Sequence, residues 1–118
     1  MKSNDKDRII ISKIINYCED IDAAHLHFND DKKLFFDKWE GRVYRNAVTM
    51  PILQIGELAK NLTDDFTEKH ASVPWKAIMR TRDFFAHHYC EIEYGDVWDT
   101  SHEDISELKN YLLRIITS

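Results

Sequence analysis

At 118 residues, with 43% hydrophobic and 31% charged side chains, the chain has the size and composition of one soluble globular domain, with room for a core but not for a second. Its net charge of −5 argues against a broad basic face that would hold long nucleic acid. The N-terminus, Met-Lys-Ser-Asn-Asp-Lys-Asp-Arg, does not resemble a signal peptide, and no stretch approaches the ~18 uninterrupted apolar residues of a membrane span. Cys18 and Cys90 form no disulfide framework, so a cytoplasmic setting without membrane association is expected.

Apolar spacing is helical nearly throughout. Ile11, Ile14, Ile15, Cys18 and Ile21 form an i, i+3, i+4, i+7 stripe, predicting a first helix over residues 6–27. Asn29, Asp30 and Asp31 then supply turn and N-cap chemistry. A second long helix is predicted over 32–62, with Phe36, Trp39, Val43, Ala47 and Met50 on its apolar side, Ile55, Leu58 and Leu62 continuing it, and a kink at Pro51. Thr63-Asp64-Asp65 reads as the cap of a short helical turn, and Ser72-Val73-Pro74 as the start of a helix carrying Trp75, Ile78, Met79 and two arginines, which should lose regularity near His87. After Gly95, helical spacing of Trp98, Ile105, Leu108, Leu112 and Ile115 continues to the C-terminus. The expected fold is all-α: residues 1–118 as a single domain, a bundle of four main helices plus a short helical turn. Phe84, Phe85, Trp39, Trp75 and Trp98 are read as core.

The chemistry concentrates in Arg80-Thr81-Arg82-Asp83-Phe84-Phe85-Ala86-His87-His88-Tyr89, where two guanidiniums, two imidazoles and a phenol lie close together in an otherwise acidic chain. RNA scission needs no outside nucleophile, because the 2′-hydroxyl next to the phosphate can attack it. The catalyst must move protons and stabilise added negative charge. Histidine, with a reference pKa of about 6.5, suits the first task. Arginine, whose planar fork stays charged, suits the second. Arg82 would stabilise the pentacoordinate transition state, with His87 as acid or base and Arg80, Asp83 and His88 as candidate substrate or phosphate contacts. On an unbroken helix, His87 lies about 140° around the axis from Arg82, while Tyr89 comes nearly back over it. The helix therefore ends before His87, or each Arg82 works with residues of a second subunit. Each residue also has a structural alternative: Arg82 as an ion-pair partner, His87 as a helix-end histidine, Tyr89 as a packing residue.

Arg82, His87 and Tyr89 carry the R-x4-H-x-Y pattern, and Ile55-Gly56-Glu57-Leu58-Ala59-Lys60, Val73-Pro74-Trp75-Lys76-Ala77-Ile78 and Val97-Trp98-Asp99 accompany it in order and rough spacing. Over roughly its last two-thirds the chain resembles the HEPN ribonucleases of the HepT-like toxin branch. That resemblance implies a HEPN-like helical fold, metal-independent transesterification of RNA with no cofactor, a homodimer that pairs two copies of the motif, and a cognate minimal nucleotidyltransferase antitoxin that adenylylates the motif tyrosine, here Tyr89. The sequence departs from the family pattern in two places: Asp83 follows the motif arginine where Asn is common, and His88 stands where an acidic residue is common. Asp83 either anchors Arg82 or repels the substrate phosphate; His88 is a second proton carrier or phosphate contact. Glu57, a family landmark, is a candidate carboxylate partner for Arg82.

No metal site is expected, because His87, His88 and Cys90, like the pair His25 and His27, lack the spacing of a zinc site. The acidic run from Glu91 to Leu108 could face a basic partner. The leading functional expectation is an endoribonuclease toxin; the alternative is a non-catalytic helical nucleotide-binding or regulatory subunit of a nucleotidyltransferase, holding a nucleotide with Arg82, His87 and Tyr89.

Overall fold

The structure, a computed structural model, describes residues 3–87 and 91–117. The described residues are helical with no strand, as the apolar spacing predicts: α1 (Ser3–His27), α2 (Lys32–Phe36), α3 (Arg42–Ala59), α4 (Asp64–Lys69), α5 (Trp75–His87), α6 (Tyr94–His102) and α7 (Asp104–Thr117). Helix α1 packs against α3 and α7, and α3 packs on its other side against α5. The stripe Ile11, Ile14, Ile15, Cys18 and Ile21 is buried in the core. Burial pushes the Cys18 thiol up to about 12, so it behaves as a small apolar side chain. Among the described residues, no helix is long and apolar enough to cross a membrane.

The expected helix over 32–62 is broken. Asn29 and Asp30 turn the chain with φ of 58° and 52°, and the Asp31 carboxylate caps α2 by accepting the Leu34 N–H at 3.0 Å. Helix α2 then stops because the Asp37 carboxylate captures the N–H groups of Glu40 and Trp39, at 2.8 and 3.0 Å. Those two bonds hold the Asp37 carboxyl below its usual range. The Arg45 guanidinium closes the break, donating to the carbonyls of Phe35, Asp37 and Lys38 at 2.7, 2.6 and 3.0 Å. Only glycine fits at 41, where a Cβ would lie 2.2 Å from the Leu34 carbonyl oxygen.

The break also overturns the predicted apolar face at Phe36, Trp39, Val43 and Met50, whereas Ile55 and Leu62 are buried and Ala47 and Leu58 packed against the core as predicted. Phe36, Trp39, Val43 and Met50 are exposed, Trp39 and Val43 each at 69%, while Tyr44, Val48, Ile52, Ile55 and Ala59 face the core. Both sets have helical spacing and are offset by about one residue; carrying the period of residues 32–36 across the interruption at Asp37 selects the wrong one. Helix α3 runs through Pro51, which is buried. Trp75 is buried and Trp98 packs partly buried against the core, as expected, but Phe84 is 46% exposed.

Thr63 caps α4 through its hydroxyl, as predicted, and is itself gripped by buried Asp7, which accepts the Thr63 N–H at 2.9 Å and its hydroxyl at 2.6 Å. The C-terminal helical stretch is divided at Glu103. The side chains of Ser101 and His102 both donate to the Trp98 carbonyl at 2.8 Å, a competition that weakens the backbone ladder there.

The same two residues organise a polar cluster beside the rings of Phe28, Tyr44 and Trp98. The Ser101 hydroxyl spends its proton on Trp98, so it accepts from His25 Nε2 at 2.9 Å, and His25 Nδ1 accepts the Tyr44 hydroxyl at 2.5 Å. His102 donates from Nδ1 to Trp98 and from Nε2 to Asp30 at 2.6 Å, the pattern of an imidazolium. Burial opposes charge on His102, but its bonds to Asp30 and Trp98, with the charges of Asp30 and Asp99, outweigh that and raise its pKa above 6.5. Burial and the neighbouring His102 lower that of His25, against the opposing charges of Asp30 and Asp22. The two act oppositely on stability. The His102 contribution is complete below its unfolded pKa and disappears as pH rises through its raised folded value. The His25 contribution is complete above its unfolded pKa and disappears as pH falls through its lowered folded value. Thermal midpoints in chelator are expected to fall on the alkaline side of about pH 6.5 in the wild type, and His102→Gln is expected to remove that fall; an unchanged alkaline limb in the variant would assign the fall to other groups.

Candidate active site at the α3–α5 crossing

Helix α5 crosses α3 at Gly56. A Cβ there would lie 2.4 Å from Arg82 Cβ and 3.1 Å from the Ile78 carbonyl oxygen, so the missing side chain is what lets the two helices meet and seats the root of Arg82 directly on α3. The next residue supplies the anchor: Glu57 Oε2 is 2.8 Å from Arg82 Nε. Arg82 Nη1 stands 3.3 Å from Asp83 Oδ1, and that same oxygen accepts from Lys60 Nζ. Glu57, in the last turn of α3, and Lys60, the C-cap residue just past it, are three residues apart on one side, so the end of α3 presents a carboxylate and an ammonium to the Arg82–Asp83 pair.

The result is an alternating chain of charge, Glu57–Arg82–Asp83–Lys60. The Lys60 bond is the main influence holding the Asp83 carboxyl below its usual range, with the Arg82 contact adding to it. Asp83, the departure from the family pattern, thus anchors Arg82 while Lys60 offsets its charge. The Arg82 side chain is 32% exposed. Its Nε and Nη1 are engaged, and no hydrogen bond from Nη2 to a described residue competes with an incoming anion. Arg82 is thereby held in one orientation with Nη2, among the described residues, left as the donor for an incoming phosphate oxygen.

The other predicted residues are placed differently. Arg80 is exposed, about 160° around α5 from Arg82, and makes no ion pair with another described residue. Helix α5 includes His87, so the alternative in which the helix stops before His87 is set aside. Along that unbroken helix, His87 stays about 140° from Arg82 and falls in line with Asp83 and Arg80. His88, Tyr89 and Cys90 lie outside the described residues. Two contributors carried no assigned role in the sequence, Gly56 and Lys60; their signal was the glycine inside a helical pattern and the spacing of Glu57 and Lys60 within Ile55–Lys60.

A family model described as Ribonuclease HepT-like matches residues 11–115. The chain is 31% identical over 99 residues to a provisionally named RNase of Caldanaerobacter subterraneus subsp. tengcongensis, covering 76% of this chain and 88% of the relative. It is 36% identical over 93 residues to another provisionally named RNase, of Methanocaldococcus jannaschii, covering 78% of this chain and 72% of the relative. A protein of Thermococcus cleftensis provisionally named ribonuclease HepT is 38% identical over 63 residues, covering 53% of this chain and 57% of the relative. No solved structure matches. With a family match spanning nearly the whole chain and an R-x4-H-x-Y motif whose arginine is locked onto α3, the chain belongs to the HepT-like ribonuclease family.

Proposed function

We propose that the protein is a metal-independent endoribonuclease acting as the toxin of a toxin–antitoxin pair, with Arg82 and His87 in a composite site between two copies of the chain. The observation that carries this reading is the Arg82 of a HepT-like chain, held by Glu57 and Asp83 with Nη2 unengaged among the described residues. Arg82 binds the scissile phosphate and stabilises the charge that develops as the 2′-oxygen attacks; His87 transfers a proton. Arg80 and His88 contact flanking phosphates, while Asp83 acts through Arg82. The relatives named as RNases support an RNA substrate.

Two features support the dimer. Arg82 and His87 diverge on one continuous helix, so a site needing both is more easily completed across a two-fold axis. Val43, Met50 and Glu57 follow one another at seven-residue steps, within about 20° of a line along α3, so an exposed apolar strip leads to the carboxylate that holds Arg82. A second copy laid along that strip would bring two motif segments together. Two cationic spots flanking one cleft hold RNA despite the acidic net charge. Light scattering at micromolar concentration is expected to give the mass of a dimer, and a monomer would remove the composite site.

Control is assigned to Tyr89. It follows the motif arginine by seven residues and the histidine by two, so an AMP attached to its phenol would place an anion where the RNA phosphate must sit and draw Arg82 to itself. Tyr89→Phe is expected to retain most cleavage yet escape neutralisation by a cognate nucleotidyltransferase with ATP and magnesium. Mass spectrometry after co-expression with that partner is expected to show added AMP on the wild type and none on Tyr89→Phe. Neutralisation without any change in mass would replace this account with simple occlusion.

A further inference from the structure

Outside the Arg82 site, one group of side chains has the composition and convergence of a metal centre. His25 Nδ1 and Asp30 Oδ1 are 3.6 Å apart, Asp30 Oδ1 and His102 Nε2 are 2.6 Å apart, and all three ligand atoms lie within 4.8 Å of one another. Tetrahedral coordination at metal–ligand distances of about 2.0–2.1 Å asks for ligand atoms roughly 3.4 Å apart, so modest side-chain adjustment would bring the three onto one ion. We propose that His25, Asp30 and His102 bind one divalent transition-metal ion of the zinc class, clamping the α1–α2 turn to the end of α6.

The surroundings resemble those of a metal site more than those of an incidental ion pair. Metal-bound histidines need the ring nitrogen facing away from the ion to be anchored, which fixes tautomer and orientation. Here both are: His25 Nε2 donates to Ser101 Oγ at 2.9 Å, and His102 Nδ1 donates to the Trp98 carbonyl at 2.8 Å. Ser101 is locked in turn by its own bond to Trp98. The nitrogens left facing Asp30, His25 Nδ1 and His102 Nε2, are therefore the ones able to present lone pairs to an ion. Asp30 is set on an unusual backbone, the consecutive left-handed Asn29 and Asp30, with its N–H fixed to the His25 carbonyl at 2.7 Å. Two imidazoles and one carboxylate select a borderline cation such as zinc over magnesium or calcium, which prefer all-oxygen sites.

Binding exchanges one set of partners for another. The proton that His102 Nε2 shares with Asp30 leaves to solvent, and the ion takes its place between them. The Tyr44 hydroxyl, whose phenol stays protonated, yields its bond to His25 Nδ1. Asp30, 61% exposed, leaves the outer side of the site open for a water as fourth ligand. The expected centre is structural and shares no residue with Arg82, Glu57, Asp83 or Lys60.

The test uses the full chain, stripped with chelator and titrated with zinc chloride by calorimetry, with cobalt(II) absorption as a second readout. One ion per chain, release of protons in buffers of different ionisation enthalpy, a raised thermal midpoint with zinc and none with magnesium chloride are the expected results. Asp30→Asn and His102→Gln, each checked for helical content by circular dichroism, are expected to weaken binding on the order of tenfold or more. Absence of saturable zinc binding at micromolar concentration would overturn the proposal. So would binding that persists unchanged in both variants, since the ion would then reside elsewhere, for instance at His87, His88 and Cys90.

Discussion

Arg82→Ala and His87→Ala are each expected to reduce RNA cleavage on the order of 10² to 10⁴-fold while leaving the helices folded. In the proposed mechanism both groups act on the same transition state: Arg82 supplies fixed positive charge where the phosphorane becomes more negative, and His87 moves the proton that lets the 2′-oxygen attack or the 5′-oxygen depart. Removing Arg82 leaves Glu57 and Asp83 without that partner, but their side chains are 50% and 46% exposed and water replaces the lost contact at little cost. The loss is therefore expected in the rate and not in the fold. Arg82→Lys separates charge from geometry, because an ammonium cannot span Glu57, Asp83 and a phosphate as the planar fork does. Its activity is expected to lie well below wild type. Single-turnover cleavage of labelled RNA, with circular dichroism on each variant, measures both quantities; full activity in folded Arg82→Ala or His87→Ala would rule out the mechanism.

Gly56→Ala is expected to destabilise the fold and to displace Arg82. The new Cβ would sit 2.4 Å from Arg82 Cβ and 3.1 Å from the Ile78 carbonyl oxygen, and neither is the end of a flexible side chain. Helix α5 must move, at an overpacking cost of roughly 1–3 kcal/mol. The better helix propensity of alanine returns up to about 1 kcal/mol, so net destabilisation is the expected sign. Because the displaced element is the root of Arg82, cleavage is expected to fall further than the loss of folded protein explains. Gly95→Ala is the control, since among the described residues its added Cβ would meet only Glu93 Oε1, at an ordinary 3.6 Å. Urea denaturation and cleavage assays on the two variants decide the matter: equal behaviour would show that the close approach at Gly56 does not position Arg82.

What the sequence revealed and what it concealed follow from where the information lies. The first helix was legible because five apolar residues from Ile11 to Ile21 keep one period with no breaker among them, and all five are buried. Local caps were legible at Asp31 and Thr63, whose side chains act within three residues of themselves. The break at Asp37 was not, because what seals it is Arg45, reaching back to three carbonyls from the next helix. Once that interruption is missed, the stripe through Trp39 and Val43 is indistinguishable from the one through Tyr44 and Val48. At the candidate site, Arg82 and its Glu57 partner were visible as motif and landmark. Gly56 and Lys60 act only across the helix crossing, and long-range pairing of that kind leaves no local periodicity to read. The cluster of His25, Asp30 and His102 was hidden for the same reason, its members being distant in sequence and brought together by the α1–α2 turn.

The chemistry of the cut ends tests the central claim most directly. In the proposed mechanism the 2′-hydroxyl of the RNA is the nucleophile, so cleavage of a 5′-labelled RNA by the purified chain in excess EDTA is expected to leave a 2′,3′-cyclic phosphate, or its opened product, on one fragment and a 5′-hydroxyl on the other. RNA carrying a 2′-deoxy or 2′-methoxy substitution at the scissile position is expected to resist cleavage. Fragments bearing 3′-hydroxyl and 5′-phosphate ends, or cleavage that appears only when magnesium is restored, would contradict the assignment of Arg82 and His87 as a metal-free transesterification site.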